Sequence, residues 1–554
     1  MSTVNTQRSF SSFIVAGAIA LVIMAIAAGY WFFTKSPVSL IASTSQSGAA
    51  IFVSKLAPVT VSLLVNPDRL QSLESAGEIS KLKTSLLAES GLDYRQDIQP
   101  WLGNEITLAV TTLDIDRDLE NGKQPGYLMA LATEKPAKSS DFVQLLFSKR
   151  VLAGANLTTE EYNGAKLIYD DAQPKLEPLA GAVVDNFVLF ANDARVLRDA
   201  INNVQAPDLN LTSSPQYQKA IEELPKGAVA VTFFNLPTLA QWQGLELPEP
   251  IYDSQITSLT LNPKGLLAET SFLTMSEVTP PSAPLSQPVG ALQYIPSSAG
   301  LVISGSHLDN LNDSNLAKLW TQAKTAISGS GTDVISRLEQ PLLAIQKAWG
   351  INLTQDVFSW VQGEYALGLI PRAGKTAPGW VFVAEKQDSL PEGIVRLDAI
   401  ASSQGLNTNS LSLDEQKVVA WTELIANTKK SDAQDSPSFT VEANVKGIHT
   451  TLGNYEVFTS DLETINEVFT NKDNSFMKNR NFQNSIAVIP EPNQGYVYLD
   501  WNKSHDLLER QLPILKLLEV LDKAFFDQLR SLTFSSYGTD TGTLKGAAFL
   551  ELRS

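Results

Sequence analysis

Cysteine is absent from this chain of 554 residues. Its absence excludes disulfides, thiol catalysis, cysteine-type zinc sites and iron–sulfur ligation together. Bacterial extracytoplasmic proteins commonly share the trait, since a stray thiol there is open to oxidation. Histidine is nearly absent: His307, His449 and His505 lie far apart and form no HExxH-like pair, which argues against a histidine-rich metal site. Acidic residues are missing before position 36, where only Arg8 and Lys35 carry charge, so the rest of the chain carries −19 (40 basic against 59 acidic residues) and the whole −17. An acidic body of that size repels nucleic-acid phosphates and anionic headgroups, and no nucleic-acid partner is expected. There is no G-x-S-x-G, no G-x-x-x-x-G-K-[ST] and no G-x-G-x-x-G leading into a helix, hence neither a nucleophile elbow nor a phosphate cradle. The expectation is a non-enzyme with no catalytic, cofactor-binding or metal residues and no cofactor.

What is present is foldable and patterned. Hydrophobic content of 44% against 18% charged residues is ordinary for packed domains, and the length suffices for two of them. Residues 13–33 are almost wholly apolar and, at the helical rise, reach across a hydrocarbon core of about 30 Å. Tyr30-Trp31-Phe32-Phe33 closes the run with the aromatics of a membrane interface. The long core and bulky exit favour an uncleaved single-pass anchor over a cleaved signal peptide. Arg8 and the amino terminus face Lys35 alone, which puts residues 1–12 inside as a cytoplasmic tail and the body outside. Residues 34–47 read as a tether.

The body repeats itself. The motif of residues 91–105 (GLDYRQDIQPWLGNE) returns as residues 350–364 (GINLTQDVFSWVQGE), with Gly, Gln, Asp, Trp and Glu in register. Upstream, residues 52–57 match 294–299, each followed by an alternating strand. Downstream, residues 186–193 match 454–461, Tyr217 with Leu224-Pro225 matches Phe482 with Ile489-Pro490, and Ser258-Leu259-Thr260 matches Ser531-Leu532-Thr533. The extra length of the second copy falls around residues 328–331, a Ser/Gly loop composition. Two tandem domains are expected, copy 1 at 48–275 and copy 2 at 290–554, joined by a proline-rich linker at 276–289. Within copy 1, Asn66 can cap a helix opened by Pro67 with Leu70, Leu73, Ile79, Leu82 and Leu86 at helical spacing. Ile106, Leu108 and Val110 alternate as a strand, Tyr127 to Ala132 answers it across a polar hairpin, and a helix follows from Asp141. Hairpin-linked strands with interspersed helices make the fold class α+β with mostly antiparallel sheets.

Asp97, Trp101 and Glu105, repeated as Asp356, Trp360 and Glu364, are the candidate site. Two carboxylates beside an aromatic could serve as an acid/base pair. The favoured reading is structural: Asp caps a short helix, Trp anchors it on the core, and Glu opens the next strand. Asp114-x-Asp116-x-Asp118 with Asn121-Gly122 resembles the start of a calcium loop, but Leu119 and Pro125 stand where Gly and Glu are required, so it reads as a solvated hairpin.

The strand leading to Asn66-Pro67-Asp68-Arg69-Leu70, the Trp101–Glu105 motif, the step at residues 186–193 and the Leu224-Pro225 strand entry together resemble a bacterial domain-of-unknown-function family, number 3352, widespread in cyanobacteria. The resemblance spans nearly all of 48–554 and implies a membrane-anchored extracytoplasmic protein of the cell or thylakoid membrane, with its body in periplasm or lumen. It carries no catalytic residues over. The function expected is binding, scaffolding or assembly with a protein partner. The alternatives are a hydrolase using acidic residues at an inter-domain cleft and a carrier of an apolar ligand or lipid.

Overall fold

The computed structural model describes residues 47–66, 94–118, 120, 122–170, 178–243, 252–274, 284–309, 352–374, 377–413, 415–429, 438–470, 474–511, 523–538 and 543–553. The anchor at 13–33, most of the tether, the helix expected from Pro67 to Leu86, the loop at 328–331 and residues 276–283 of the linker lie outside them. Among the described residues no helix is long and apolar enough to cross a membrane. The chain forms two compact units, Met1–Thr279 with Thr541–Lys545 and Pro280–Asp540 with Gly546–Arg553.

The first unit contains β1 (Val59–Leu63), β2 (Leu102–Thr112), β3 (Gly126–Thr133), α1 (Pro136–Leu152), β4 (Leu157–Tyr162), β5 (Ala165–Asp170), β6 (Ala180–Val184) and β7 (Phe187–Ala191). It continues with α2 (Ala194–Gln205), α3 (Pro215–Glu222), β8 (Ala228–Asn235), α4 (Leu236–Gln243), β9 (Ser254–Asn262) and β10 (Gly265–Leu273). Every pairing is antiparallel, and the strands run in the order β4-β5-β6-β7-β3-β2-β1-β8-β9-β10. Helices α2 and α3 bury Val196, Leu197, Ile201 and Tyr217 in a core shared with Leu128, Leu189 and Phe233. A second core gathers Trp101, Phe142, Phe147, Val188 and Phe190. The inner strands β3, β5 and β7 thus bury side chains on both faces, Leu128 and Leu131, Leu167 and Ile168, Leu189 and Val188.

The second unit contains β11 (Leu301–Ser306), β12 (Glu364–Ile370), β13 (Gly379–Glu385), α5 (Leu390–Ser403), β14 (Asn407–Leu413), β15 (Gln416–Lys429), β16 (Ser438–Leu452) and β17 (Tyr455–Thr459). After these come α6 (Leu462–Thr470), α7 (Arg480–Ile486), β18 (Tyr496–Asp500), α8 (Trp501–Gln511), α9 (Lys523–Gln528), β19 (Leu529–Tyr537) and β20 (Thr543–Leu552). Its antiparallel order is β14-β15-β16-β17-β13-β12-β11-β18-β19-β20, the same as the first unit strand for strand. The fold is therefore α+β, built on extensive antiparallel pairing.

Two details differ from the sequence expectation. Leu285, placed in the linker, exchanges backbone hydrogen bonds with Asn493 (2.6 and 3.1 Å), so this part of the segment is bound into the second unit. Ser47, placed in the tether, bonds to Glu105.

Candidate functional site

The repeated motif folds the same way in both units. A single π-helical turn, Tyr94–Ile98 or Leu353–Val357, precedes the tryptophan. Trp101 donates its indole N–H to the backbone carbonyl of Asp97 (2.7 Å), and Trp360 does the same to Asp356 (2.8 Å). A four-residue spacing on one wide turn brings ring and carbonyl together. Both rings are buried: Trp101 against Phe142 at 5.1 Å, Trp360 against Phe458 (6.1 Å) and Phe382 (6.4 Å). Gly393 of α5 lies so close to the Trp360 ring that a Cβ there would sit 2.5 Å from it. The aspartate's contribution to the tryptophan is thus its carbonyl, not its carboxylate.

The expected aspartate cap is corrected in the second unit, where Asn352 caps the turn by accepting from the Gln355 N–H (3.2 Å). The Asp356 carboxylate reaches back to the Asn352 N–H (2.8 Å), a reciprocal arrangement that satisfies donors at the turn's entrance.

The glutamates act on distant chain. Glu105 accepts from the backbone N–H of Gly48 (2.8 Å) and Ala49 (3.0 Å), from the Thr107 hydroxyl (2.8 Å) and from the Ser47 hydroxyl. It thereby caps the 3₁₀ turn Gly48–Phe52 that opens the first unit. Glu364 accepts from the Gly290 N–H (2.7 Å) at the matching turn, Gly290–Tyr294, and from the Tyr455 hydroxyl (2.8 Å). Burial, and next the bond to Glu364, pushes the Tyr455 phenol well above its ordinary range. Three of these donors meet Glu105 Oε1 and the Gly48 N–H meets Oε2, so the carboxylate is committed chiefly to holding this turn.

Beside this clamp the first unit has a recess of about 240 Å³ lined by Leu64, Asn104, Glu105, Glu134, Asn186 and Phe187, among others. It is smaller than the usual small-molecule pocket of about 300–1,000 Å³. In the second unit, Glu385 opposes Tyr455 in the register where Ala132 opposes Phe187. Its carboxylate accepts from the Glu364 N–H (3.0 Å) and the Asn454 amide (3.3 Å). The hairpin at Asp114–Asp118 spends its carboxylates locally: Asp114, Asp116 and Asp118 accept from the N–H groups of Gln124, Asp118 and Glu120.

One cluster escaped sequence reasoning. His449 is buried in the second unit with its ring 5.5 Å from each of Trp421 and Phe458, which lie 6.5 Å from one another. Its Nδ1 lies 2.8 Å from Glu456 Oε1 and its Nε2 3.4 Å from Asp398 Oδ1. Asp398 accepts from the Trp421 indole N–H (2.7 Å), and Thr451 donates to Glu456 (2.6 Å). The signal was the Gly453-Asn454 turn, which sets 449, 451, 456 and 458 on one face of a hairpin. Among the described residues no group of His, Asp and Glu has the makings of a metal site.

With fold and side chains in place, the class is that of an antiparallel α+β protein whose repeated carboxylates serve the fold. The chain belongs to the family described as "Protein of unknown function (DUF3352)", whose model matches residues 14–552. No curated protein matches the sequence. Solved structures of TP0453 in crystal forms I and III are 10% and 11% identical to it. They cover 42% of this chain and 81% and 82% of theirs, with TM-scores of 0.24 and 0.23.

Proposed function

We propose that this protein is a single-pass, membrane-anchored, extracytoplasmic binding or scaffold protein whose two units arose by duplication of one ancestral domain. The observation that carries the non-catalytic reading is the clamp: Glu105 and Glu364, the best acid/base candidates by sequence, are each tied to the opening turn of their own unit. The apolar run at 13–33 supports anchoring in a bacterial plasma or thylakoid membrane with the body in periplasm or lumen. The identical strand order and the motifs in register support duplication. A hydrolase would need these carboxylates open to a substrate, and the recess at Glu105 is smaller than a site for an apolar ligand.

Two measurements test the proposal. Protease added to intact cells or sealed vesicles of known orientation should digest the body only from the extracytoplasmic side, and an alkaline wash should leave the chain in the membrane. Cross-linking before mild-detergent extraction should recover it in a defined complex. Release by alkali would sink the anchor, and a chain that is always recovered alone would sink the scaffold role.

A further inference from the structure

The sheet of the second unit ends in an edge strand without the usual protection. Among the described residues β14 pairs with β15 alone, from Asn407 opposite Thr422 to Leu413 opposite Gln416. In an antiparallel ladder alternate residues turn their N–H and C=O toward the neighbour and the rest turn them outward, so the free side of β14 presents a row of backbone donors and acceptors. Residues 407–412 are exposed and Leu413 is half-buried. The strand, Asn-Thr-Asn-Ser-Leu-Ser-Leu, carries no charge, no proline and no glycine, and its pairing with β15 runs without a bulge. Sheets ordinarily blunt such edges with charge, proline or a bulge. The corresponding edge of the first unit, β4, does so with Glu160 and Glu161.

We propose that β14 is a dimerisation strand, pairing antiparallel with β14 of a second copy of this chain about Ser410. Charge selects this occupant. The chain as a whole is strongly acidic, yet β14 itself is uncharged; in sequence Asp414 and Glu415 follow it with Lys417 close by, and beyond its other end Glu423 is paired with Lys446 (3.1 Å). A second copy therefore meets no charge along the strand, and pairing about Ser410 sets positions 414 and 415 against the uncharged Leu406 and Gly405. Self-pairing sets Ser410 against Ser410, Thr408 against Ser412 and Asn409 against Leu411, so hydroxyls face hydroxyls and no like charges are opposed. One two-fold axis satisfies both free edges at once. A second β4 would instead bring four carboxylates onto one ladder. The inference is independent of the membrane reading.

The cysteine-free sequence makes the test clean. Full-length Ser410→Cys, purified in mild detergent and oxidised gently, places the two thiols across an antiparallel pair whose Cα separation of about 4.5–5.5 Å suits a disulfide. It should cross-link to a covalent dimer at least tenfold faster than Ser402→Cys, an exposed position on α5. A mixture of Thr408→Cys and Ser412→Cys should cross-link faster than either variant alone, which reports the register. Asn409→Lys should weaken the wild-type dimer at least tenfold in a concentration series of light-scattering masses. Dimer formation by Ser410→Cys no faster than by Ser402→Cys would overturn the proposal. So would a wild-type chain that stays monomeric throughout the series, or a disulfide from Ser410→Cys to a different protein in native membranes.

Discussion

Two matching strands, β7 and β17, run Phe-Val-Leu-Phe-Ala and Tyr-Glu-Val-Phe-Thr, and the difference at their second residues reorganises a core. In the first unit Val188 is buried with Phe142, Phe147 and Phe190. In the second the same station holds Glu456, equally buried, with His449 on the neighbouring strand as its partner. His449 opposes Phe458 where Gly181 opposes Phe190. At Gly181 a Cβ would lie 2.7 Å from the Phe147 ring, so an aromatic from α1 fills the space that the imidazole occupies in the other unit. One backbone frame thus accepts either an apolar packing or a buried ionisable pair. The pair stabilises little net, because desolvation offsets its attraction, but it commits each partner to the other.

The largest effect should come from splitting that pair. His449→Ala leaves Glu456 buried beside Thr451 alone and should cost about 3–5 kcal/mol. Adding Glu456→Val, the first unit's residue, should restore most of that stability. Hydrogen exchange of the β16 and β17 amides in the full-length chain reads both. Equal protection in the single variant and wild type would mean that the pair does not organise this core.

A smaller contrast separates the two clamps. Glu105 holds four donors and Glu364 two. Glu105→Gln and Glu364→Gln should each cost about 1–3 kcal/mol, the larger loss falling in the first unit. Exchange at the amides of Gly48 and Ala49, against that of Gly290, measures the difference. A larger loss at Gly290 would reverse the ranking.

The same clamps show what could be read in the sequence. Alternation at Ile106, Leu108 and Val110 located β2, and the ordered matches located most later elements, because local period and repetition are both one-dimensional signals. The Asp, Trp and Glu of the motif recur together and so look like one site. Their roles separate only in three dimensions: the tryptophan bonds four residues back, whereas the glutamates act on Gly48 and Gly290, far upstream. No spacing rule links a strand residue to a turn that distant. The His449 cluster was hidden for the related reason that Asp398 arrives from α5. The edge position of β14 was hidden too, since an edge is a property of strand order.

The finest contrast lies in two helix caps at matching positions. Asp193 caps α2 through the Arg195 N–H (2.7 Å), and Asp461 caps α6 through the Thr464 N–H (2.8 Å). Burial pushes both carboxyls up, but their hydrogen bonds outweigh it and hold both below the ordinary range: to Arg195 for Asp193, and to Ser460 and Thr464 for Asp461. A lowered folded value means that each contributes stability above the unfolded carboxylate value near 4 and loses it as pH falls through the folded one. Asparagine keeps the cap but removes the charge, so either variant should change neutral stability by no more than about 1 kcal/mol and flatten the acid limb of the unfolding curve. Salt distinguishes them. The partner of Asp193 is a half-exposed guanidinium that salt screens, whereas Asp461 is held mainly by short bonds from Ser460 Oγ (2.6 Å) and Thr464. Raising the salt to about 1 M, where the screening length is about 3 Å, should erase most of the effect of Asp193→Asn and spare that of Asp461→Asn. Equal salt sensitivity would place both caps in the same electrostatic regime.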